Sequence, residues 1–436
     1  MHEAPSRREI NRLAIPAILT GIAEPIITLV DTAFVGQVGT TELAAVGIAG
    51  SFYLMTVWIL AQTLTAIAAI VSRFYGKNQL DQIESLIPQA LGSNLVLGIG
   101  FFILTNVFAT EIFQFYNAEG EVLLLCEEYF NIRSWGFPFT LATLLLFGVF
   151  RGLQNTSWAM VISLIGAAVN LVLDYLLIFG VEGSIEPMGI KGAAAASLAA
   201  QVLMFILAII FLSAKTSFHL KLRFQPNPEF KNLAGMSADL FIRTILLNLT
   251  FYLATRYATG YGEEVIAAHT IAINIWLFSS FFIDGYAHAG NALAGRLLGE
   301  DRPKSLYHMG LQINKIAIFI GIALAAIYAI GYFQIGKLFT DDAAVLAQFE
   351  AIFILVILTQ PINASAFAFD GIYKGLGEMK LLRNLLIAST LLGFVPVCLG
   401  FHYLSPGLLG IWIAFVVWMI IRSGWLIYDF KKRYGT

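Results

Sequence analysis

The chain has 436 residues, of which 58% are hydrophobic and only 12% charged, with a mean hydropathy of +0.78. That composition excludes an ordinary water-soluble domain, and a net charge of −2 gives no electrostatic footprint for nucleic acid. Two cysteines, Cys126 and Cys398, lie far apart in apolar surroundings and suggest neither a disulfide framework nor a metal site.

No short apolar core followed by a small-residue cleavage site opens the sequence, so the first span is expected to stay as the first helix. About 20 apolar residues cross a bilayer, and runs of that kind recur along the chain. Leu43–Ser72, Ser85–Thr110, Gly192–Ala214, Ile316–Gly336 and Ala351–Phe369 carry no Asp, Glu, Lys or Arg. Asn384–Ile421 is also uncharged but too long for one span, and Ser405-Pro406-Gly407 divides it. Including spans interrupted by one or two charges, the pattern predicts twelve helices. They fall near 12–36, 45–73, 86–109, 127–150, 158–180, 190–213, 236–258, 266–293, 310–333, 346–370, 382–403 and 408–430.

A shift of the chain by 223 residues against itself, without gaps, aligns the halves at residues that fix backbone shape. Gly39, Ala44 and Ala45 fall on Gly262, Ala267 and Ala268; Arg73 and Gly76 fall on Arg296 and Gly299. Pro138, Gly148, Gly152 and Leu153 fall on Pro361, Gly371, Gly375 and Leu376. Glycine and proline in register imply a shared fold. Six spans per half return the chain to its starting side, so the repeats are parallel. The predicted class is all-α integral membrane, with twelve transmembrane helices in two pseudo-symmetric six-helix lobes. The polar, basic link from Lys215 to Lys231, containing Pro226 and Pro228, marks the boundary. Lobes are expected over 1–213 and 234–436, with a cytoplasmic linker over 214–233. Duplicated bundles are a common plan for transporters that work around a central site.

Most basic residues flanking the spans fall on one side, among them Arg7, Arg8, Arg12, Arg73, Lys77, Arg151, Lys215, Arg223, Arg296, Lys374, Arg383 and Lys431. The other side has Arg133, Lys191, Arg256 and Lys337, accompanied by acids. The positive-inside rule then puts both termini in the cytoplasm, with the protein in the inner (plasma) membrane. The repeated Arg73-x-x-Gly76/Arg296-x-x-Gly299 and Arg151-Gly152/Lys374-Gly375 motifs read as cytoplasmic helix ends. There the cation complements exposed carbonyls and glycine permits a tight exit.

Acids lie within predicted spans, among them Glu24, Asp31, Asp174, Asp284 and Asp370, and an ionised carboxylate at bilayer depth costs about 2.5–3.5 kcal/mol even on a lenient scale. In the first span, Thr20, Glu24, Thr28 and Asp31 are spaced four, four and three, which places them on one helix face. The fifth span carries Ser163, Ala167, Asn170 and Asp174 in the same rhythm, and the sixth offers Ser197 and Gln201. Their polar faces are expected to converge. Two adjacent carboxylates in low dielectric cannot both ionise cheaply, so such a pair can bind and release a proton. With Asn170 and Ser197 as further oxygen ligands, Asp31 and Asp174 could hold Na+ instead. The second half differs: Ala254 stands opposite Asp31 and Val397 opposite Asp174. Its own polar set is Asp284, His288, Asn291, Asn363 and Asp370, where a capping or interfacial role competes with transport. The bland reading throughout is that these side chains merely bond helices together.

These residues resemble the multidrug and toxic compound extrusion (MATE) family and, within it, the DinF-like branch. Leu29-Val-Asp31-Thr32 after Pro16 is similar to the family's Val-Asp-Thr signature, and Asn170-Leu-Val-Leu-Asp174 to the fifth-helix pattern of its proton-coupled members. Gly189-x-x-Gly192 opens the sixth span, and Asp284-Gly285 and Asp370-Gly371 are similar to the branch's Asp-Gly pairs. The resemblance implies a V-shaped, non-enzymatic antiporter, acting as a monomer in the lipid bilayer without a cofactor. It would export amphiphilic, often cationic, small molecules in exchange for H+ or Na+. Asp31, Asn170, Asp174 and Ser197 would form its cation site, and Pro16 and Pro25 would let the first helix bend. Asn363 replaces an acid of the sodium-coupled members, which argues against a sodium site in the second lobe. Two alternatives remain: a lipid-linked oligosaccharide flippase, disfavoured by few intramembrane cations, and a prenyltransferase-like enzyme, disfavoured because Asp341-Asp342 is the only adjacent pair of aspartates and falls on the side opposite the cytoplasm.

Overall fold

A computed structural model describes residues 4–181, 183–221 and 225–435, leaving the side chains of residues 23–29 outside the description. Among the described residues the chain is helical, with one isolated bridge between Val181 and Ile185. The first half contains α1 (Arg7–Val35), α2 (Thr40–Leu60), α3 (Thr63–Gly76), α4 (Leu86–Val107), α5 (Ala109–Phe115), α6 (Gly120–Arg133), α7 (Gly136–Gly152), α8 (Ser157–Phe179) and α9 (Ile190–Lys215). In the second half come α10 (Pro228–Gly260), α11 (Glu263–Gly299), α12 (Pro303–Ile330), α13 (Tyr332–Ile335) and α14 (Ala343–Gly375). They are followed by α15 (Met379–Ser389), a π turn, α16 (Val395–Leu404) and α17 (Leu408–Tyr434).

Ten helical segments among the described residues are long and apolar enough to cross a bilayer, and the bent pair α6–α7 makes an eleventh. The 29-residue α1 occupies the place of the predicted first span. Ser6 starts it: the Ser6 Oγ accepts a hydrogen bond from the Glu9 amide at 3.2 Å, satisfying one of the donors a helix N-terminus leaves open.

The duplication holds at the level of element boundaries. Shifting Thr40–Gly76 by 223 residues gives Glu263–Gly299, which is α11, and shifting Gly120–Gly152 gives Ala343–Gly375, which is α14. The two halves part company at two breaks. The first half is interrupted between α2 and α3 and bent by 49° between α6 and α7, whereas α11 and α14 run through without interruption.

Glycines explain why the register survived. A Cβ on Gly148 would strike the Leu64 carbonyl, and one on Gly371 would strike the carbonyl of Ala287, the residue equivalent to Leu64. Gly152 and Gly375 repeat the pattern against the carbonyls of Ala68 and Asn291, again equivalent positions. Gly98 and Gly321 each take the backbone of a proline, Pro138 and Pro361 respectively. Three small-residue contacts therefore hold matching helices at backbone distance in both halves. This differs from the tight helix exit expected of Gly152 and Gly375: both are buried in helix-to-helix contact, and the left-handed exits fall instead at Gln154 and Gly377.

The chain forms two compact units. One gathers the residues up to Ile18, Tyr75–Lys77 and everything from Gly235 onward; the other is Leu19–Phe74 with Asn78–Ala234. The chain passes from the first to the second within α1, two residues beyond Pro16. In the first unit α14 is central, packed on α11, α12 and α17. Ile10, Leu13 and Ala14 of α1 join the apolar cluster around Phe369, Ile372 and Phe430. Arg296 donates to Glu9 at 2.7 Å there, and in the other unit the equivalent Arg73 donates to Glu229 at 3.1 Å. Each repeat arginine thus meets a glutamate in the opening turn of the other repeat's first helix. This ion pairing goes beyond the carbonyl-complementing role expected from sequence.

Candidate functional site

The second unit contains a cavity of about 120 Å³. Its lining comes from α1 (Thr20, Asp31), α6 (Arg133), α7 (Thr140, Thr143), α8 (Ser163, Asn170) and α9 (Ser197, Gln201), with apolar walls from Leu54, Phe147 and Met204. The three polar helix faces read from spacing do converge. Each helix is amphipathic in reverse, small or apolar outward and polar inward, as expected where lipid surrounds a bundle.

Asp31 is 6% exposed and accepts a hydrogen bond from Ser197 Oγ at 3.1 Å through Oδ2, while its Oδ1 has no partner. Asp174 is fully buried, with neither carboxylate oxygen hydrogen-bonded, and lies close enough to Asp31 for the two carboxyls to interact. Beside them the amide nitrogen of Asn170 is also unpartnered. A buried polar atom without a partner costs roughly 1–3 kcal/mol. Four such atoms in one place form a site organised for something other than helix cohesion, because cohesion would have paired them. Gln201 sits at the next turn of α9 from Ser197, where the Tyr53 hydroxyl donates to its Oε1 at 3.3 Å; that hydroxyl also hydrogen-bonds the Thr140 hydroxyl at 3.1 Å.

The sequence reading missed Arg133, which it assigned to the outer edge of a span. The structure puts Arg133 at the end of α6, where the α6–α7 segment bends in mid-course, and among the residues that line the cavity. Its guanidinium lies 3.8 Å from the centroid of the Tyr53 ring and hydrogen-bonds the Tyr129 hydroxyl. Its charge acts on Asp174. Gly136 makes the arrangement sterically feasible, since a Cβ there would collide with Gln201, Tyr53 and Arg133. The signal that could have found Arg133 is the Gly136-Phe-Pro138 sequence just after it, a plausible interruption inside an otherwise apolar run.

The remaining residues singled out from sequence lie elsewhere. The side chains of Glu24 and Pro25 are outside the described residues. Asp284 and His288 are half-buried on α11, in the other unit. There Asn363 is 2% exposed, its amide nitrogen 3.5 Å from Thr359 Oγ1 and its carbonyl oxygen unpartnered. Asp370 belongs to an ion-pair cluster: Arg243 donates to it at 2.5 Å and Lys374 at 2.7 Å, with Arg422 at 4.0 Å. Tied to α10, its own helix α14 and α17, Asp370 acts as an ionic clamp rather than an open binding group. The equivalent of Asp31 is Ala254, buried in an apolar cluster with Trp412 and Trp418. Among the described residues no group of three or more His, Cys, Asp or Glu side chains is placed to hold a metal ion.

The comparisons with known proteins match this architecture. A family model described as MatE matches residues 16–176 and 240–399, one match in each half of the duplication. The protein DETOXIFICATION 44, chloroplastic, of Arabidopsis thaliana is 30% identical over 95% of this chain and 80% of its own length. A protein of Pasteurella multocida (strain Pm70) named "Probable multidrug resistance protein NorM" is 25% identical over 98% of this chain and 94% of its own. A solved structure described as MATE in the bent conformation superposes with a TM-score of 0.89 at 23% identity, covering 99% of this chain and 97% of that one. Duplicated helical halves, a polar site enclosed by apolar spans and a family match running through both halves lead to one assignment: the chain belongs to the MatE family and is a multi-pass membrane transporter, not an enzyme.

Proposed function

We propose that the protein is a proton-coupled antiporter that exports amphiphilic, cationic small molecules, with both termini cytoplasmic in the plasma membrane. The observation that carries this reading is the Asp31–Asp174 pair, two buried carboxyls close enough to interact, Asp31 in the cavity wall and Asp174 one helical turn beyond Asn170 of that wall, with three of their four oxygens without a partner. In low dielectric such a pair shares a proton readily, and a cation competes with that proton for the same oxygens. Ser197 orients the pair by donating to Asp31, and Asn170 adds a further polar group to the same cavity wall. Proton entry from outside neutralises the pair and releases the cargo; proton loss to the cytoplasm restores the binding form. A ligand shifts this equilibrium only by its difference in affinity for the two protonation states.

Sodium is the competing coupling ion. The donor set supports it less well, since one guanidinium already faces the carboxyls. Met204, Phe147 and Leu54 supply an adaptable apolar wall suited to varied organic cations. The test is drug efflux from vesicles under an imposed pH gradient, with a sodium gradient as the comparison. Export that follows ΔpH and is lost in Asp31→Asn supports the reading. Export by Asp31→Asn at the wild-type rate overturns it.

A further inference from the structure

The ionic clamp on α14 gathers more cations than its carboxylate serves. Asp370 accepts from Arg243 through Oδ1 at 2.5 Å and from Lys374 through Oδ2 at 2.7 Å, so both oxygens are engaged. Arg422 stands 4.0 Å from Oδ1, beyond hydrogen-bonding distance. Its one hydrogen bond among the described residues goes to the Met419 sulfur at 3.3 Å, a weak acceptor, and its guanidinium lies 4.7 Å from the centroid of the Trp418 ring. The Nε of Arg243 has no partner either. Arg243 and Arg422 are 8% and 3% exposed, and a guanidinium keeps its charge even when buried. Helix cohesion alone gives no reason to bury donors of this kind unpaired.

Two further observations point to a ligand. At the 223-residue shift Arg243 and Asp370 fall on Thr20 and Phe147, both in the cavity wall of the first half, and Arg422 falls on Ala199, beside Ala200 of that wall. The second half thus places its ions at positions that form a binding cavity in the first. On α17, Trp425 and Tyr428 are 53% and 63% exposed within two turns of Arg422, and Lys431, Lys432 and Arg433 follow. Exposed Trp and Tyr mark the headgroup level of a bilayer. Lys374, its side chain 25% exposed, is the member of the cluster that reaches outward.

We propose that Arg422, Arg243 and Lys374 form a binding site for a phosphate group, carried by an anionic phospholipid headgroup or free in solution, with Asp370 holding the cations in position. Guanidinium forks match phosphate oxygens, and basic pockets between membrane helices suit anionic headgroups. Lys374 meets the phosphate first; Arg422 and the Nε of Arg243 supply the donors that Asp370 leaves unused. None of these residues belongs to the cavity wall around Asp31, so the site stands or falls independently of the antiport reading.

The experiment uses the purified, delipidated full chain in a neutral detergent. Fluorescent phosphatidylglycerol and phosphatidylcholine are titrated for binding, and inorganic phosphate is tested for protection against thermal unfolding. Phosphatidylglycerol should bind about tenfold or more tightly than phosphatidylcholine, whose choline repels Lys374. Arg422→Gln should lose that preference without lowering the unfolding temperature of the lipid-free protein, because Asp370 keeps both of its hydrogen-bonded partners. Arg422→Lys should retain part of the preference. Protection by phosphate, lost in Arg422→Gln, with no preference between the lipids assigns the site to free phosphate. A wild type that neither prefers phosphatidylglycerol nor gains from phosphate overturns the proposal, whatever the variants do. A folded Arg422→Gln with the wild-type responses does so too, and marks Arg422 as structural. Should Arg422→Gln fail to fold, Lys374→Gln at the exposed edge reads the same site: its response should fall severalfold, and an unchanged response overturns the proposal.

Discussion

Among single residues, the site separates groups that carry charge from groups that hold it in place. Asp31 and Asp174 carry it; Ser197 holds Asp31 through one hydrogen bond. Hydrogen bonds to charged groups contribute about 1.5–3 kcal/mol, so Ser197→Ala should weaken cargo binding by roughly tenfold or somewhat more while leaving coupled export detectable. Asp174→Asn, in contrast, removes a charge and should abolish export driven by ΔpH in the same vesicle assay. The pH dependence of binding carries the sign of the exchange. A proton must leave for a monocation to enter, so the dissociation constant should fall by about tenfold per pH unit through the range in which the pair titrates. A dissociation constant indifferent to pH would mean that the carboxyls keep one protonation state.

Individual residues also show what was readable in the sequence. Asp31, Asn170, Asp174 and Ser197 announced themselves because helical spacing puts them on inward faces and intramembrane acids are expensive. Arg133 did not, because a cation in an apolar run reads by default as a span end, and nothing local reveals that its compensating charges sit on α1 and α8. The spacing of Asp370 and Lys374, one helical turn apart, did contain half of the ionic clamp. Its other half, Arg243 and Arg422, comes from helices far off in sequence, and only the fold brings them together.

At the scale of elements, the ionic clamp and the glycine contacts make opposite kinds of claim on stability. Asp370 is the shared anion for three cations, two of them almost wholly buried. Its removal strands those cations, and breaking a buried pair on one side costs about 3–5 kcal/mol. Asp370→Ala should therefore lower the unfolding temperature in detergent markedly, while any protein that remains folded keeps its ethidium binding. An unchanged melting temperature would show that the cluster does not hold α10, α14 and α17 together. Gly148 and Gly371 fail by overpacking instead. Each meets an equivalent backbone carbonyl, so alanine at either should destabilise by roughly 1–3 kcal/mol, to similar extents if the halves are packed alike. The 223-residue repeat was legible because these contacts tolerate no side chain. The two breaks were not legible, since hydropathy averages over a bend and reports one span either way.

For the whole molecule, the charge carried by the site sets how transport senses the membrane. If the exchange is one monocation outward for one proton inward, no net charge crosses in a full cycle. A membrane potential does work of about 2.3 kcal/mol per elementary charge per 100 mV, so any imbalance would be felt strongly: the gradient sustained would change by roughly fiftyfold for each 100 mV. Ethidium export from vesicles should therefore follow ΔpH and stay constant when the potential is clamped at different values with a potassium ionophore. Propidium, a dication on the same ring system, would move one charge per cycle if exchanged for one proton and should show the voltage dependence that the monocation ethidium lacks. The comparison is internal, because both dyes pass through the same protein in the same vesicles and differ in the charge they carry. Voltage-dependent ethidium export at fixed ΔpH would mean that more than one proton, or an additional ion, accompanies each turnover. The Asp31–Asp174 pair would then not be the whole of the coupling site.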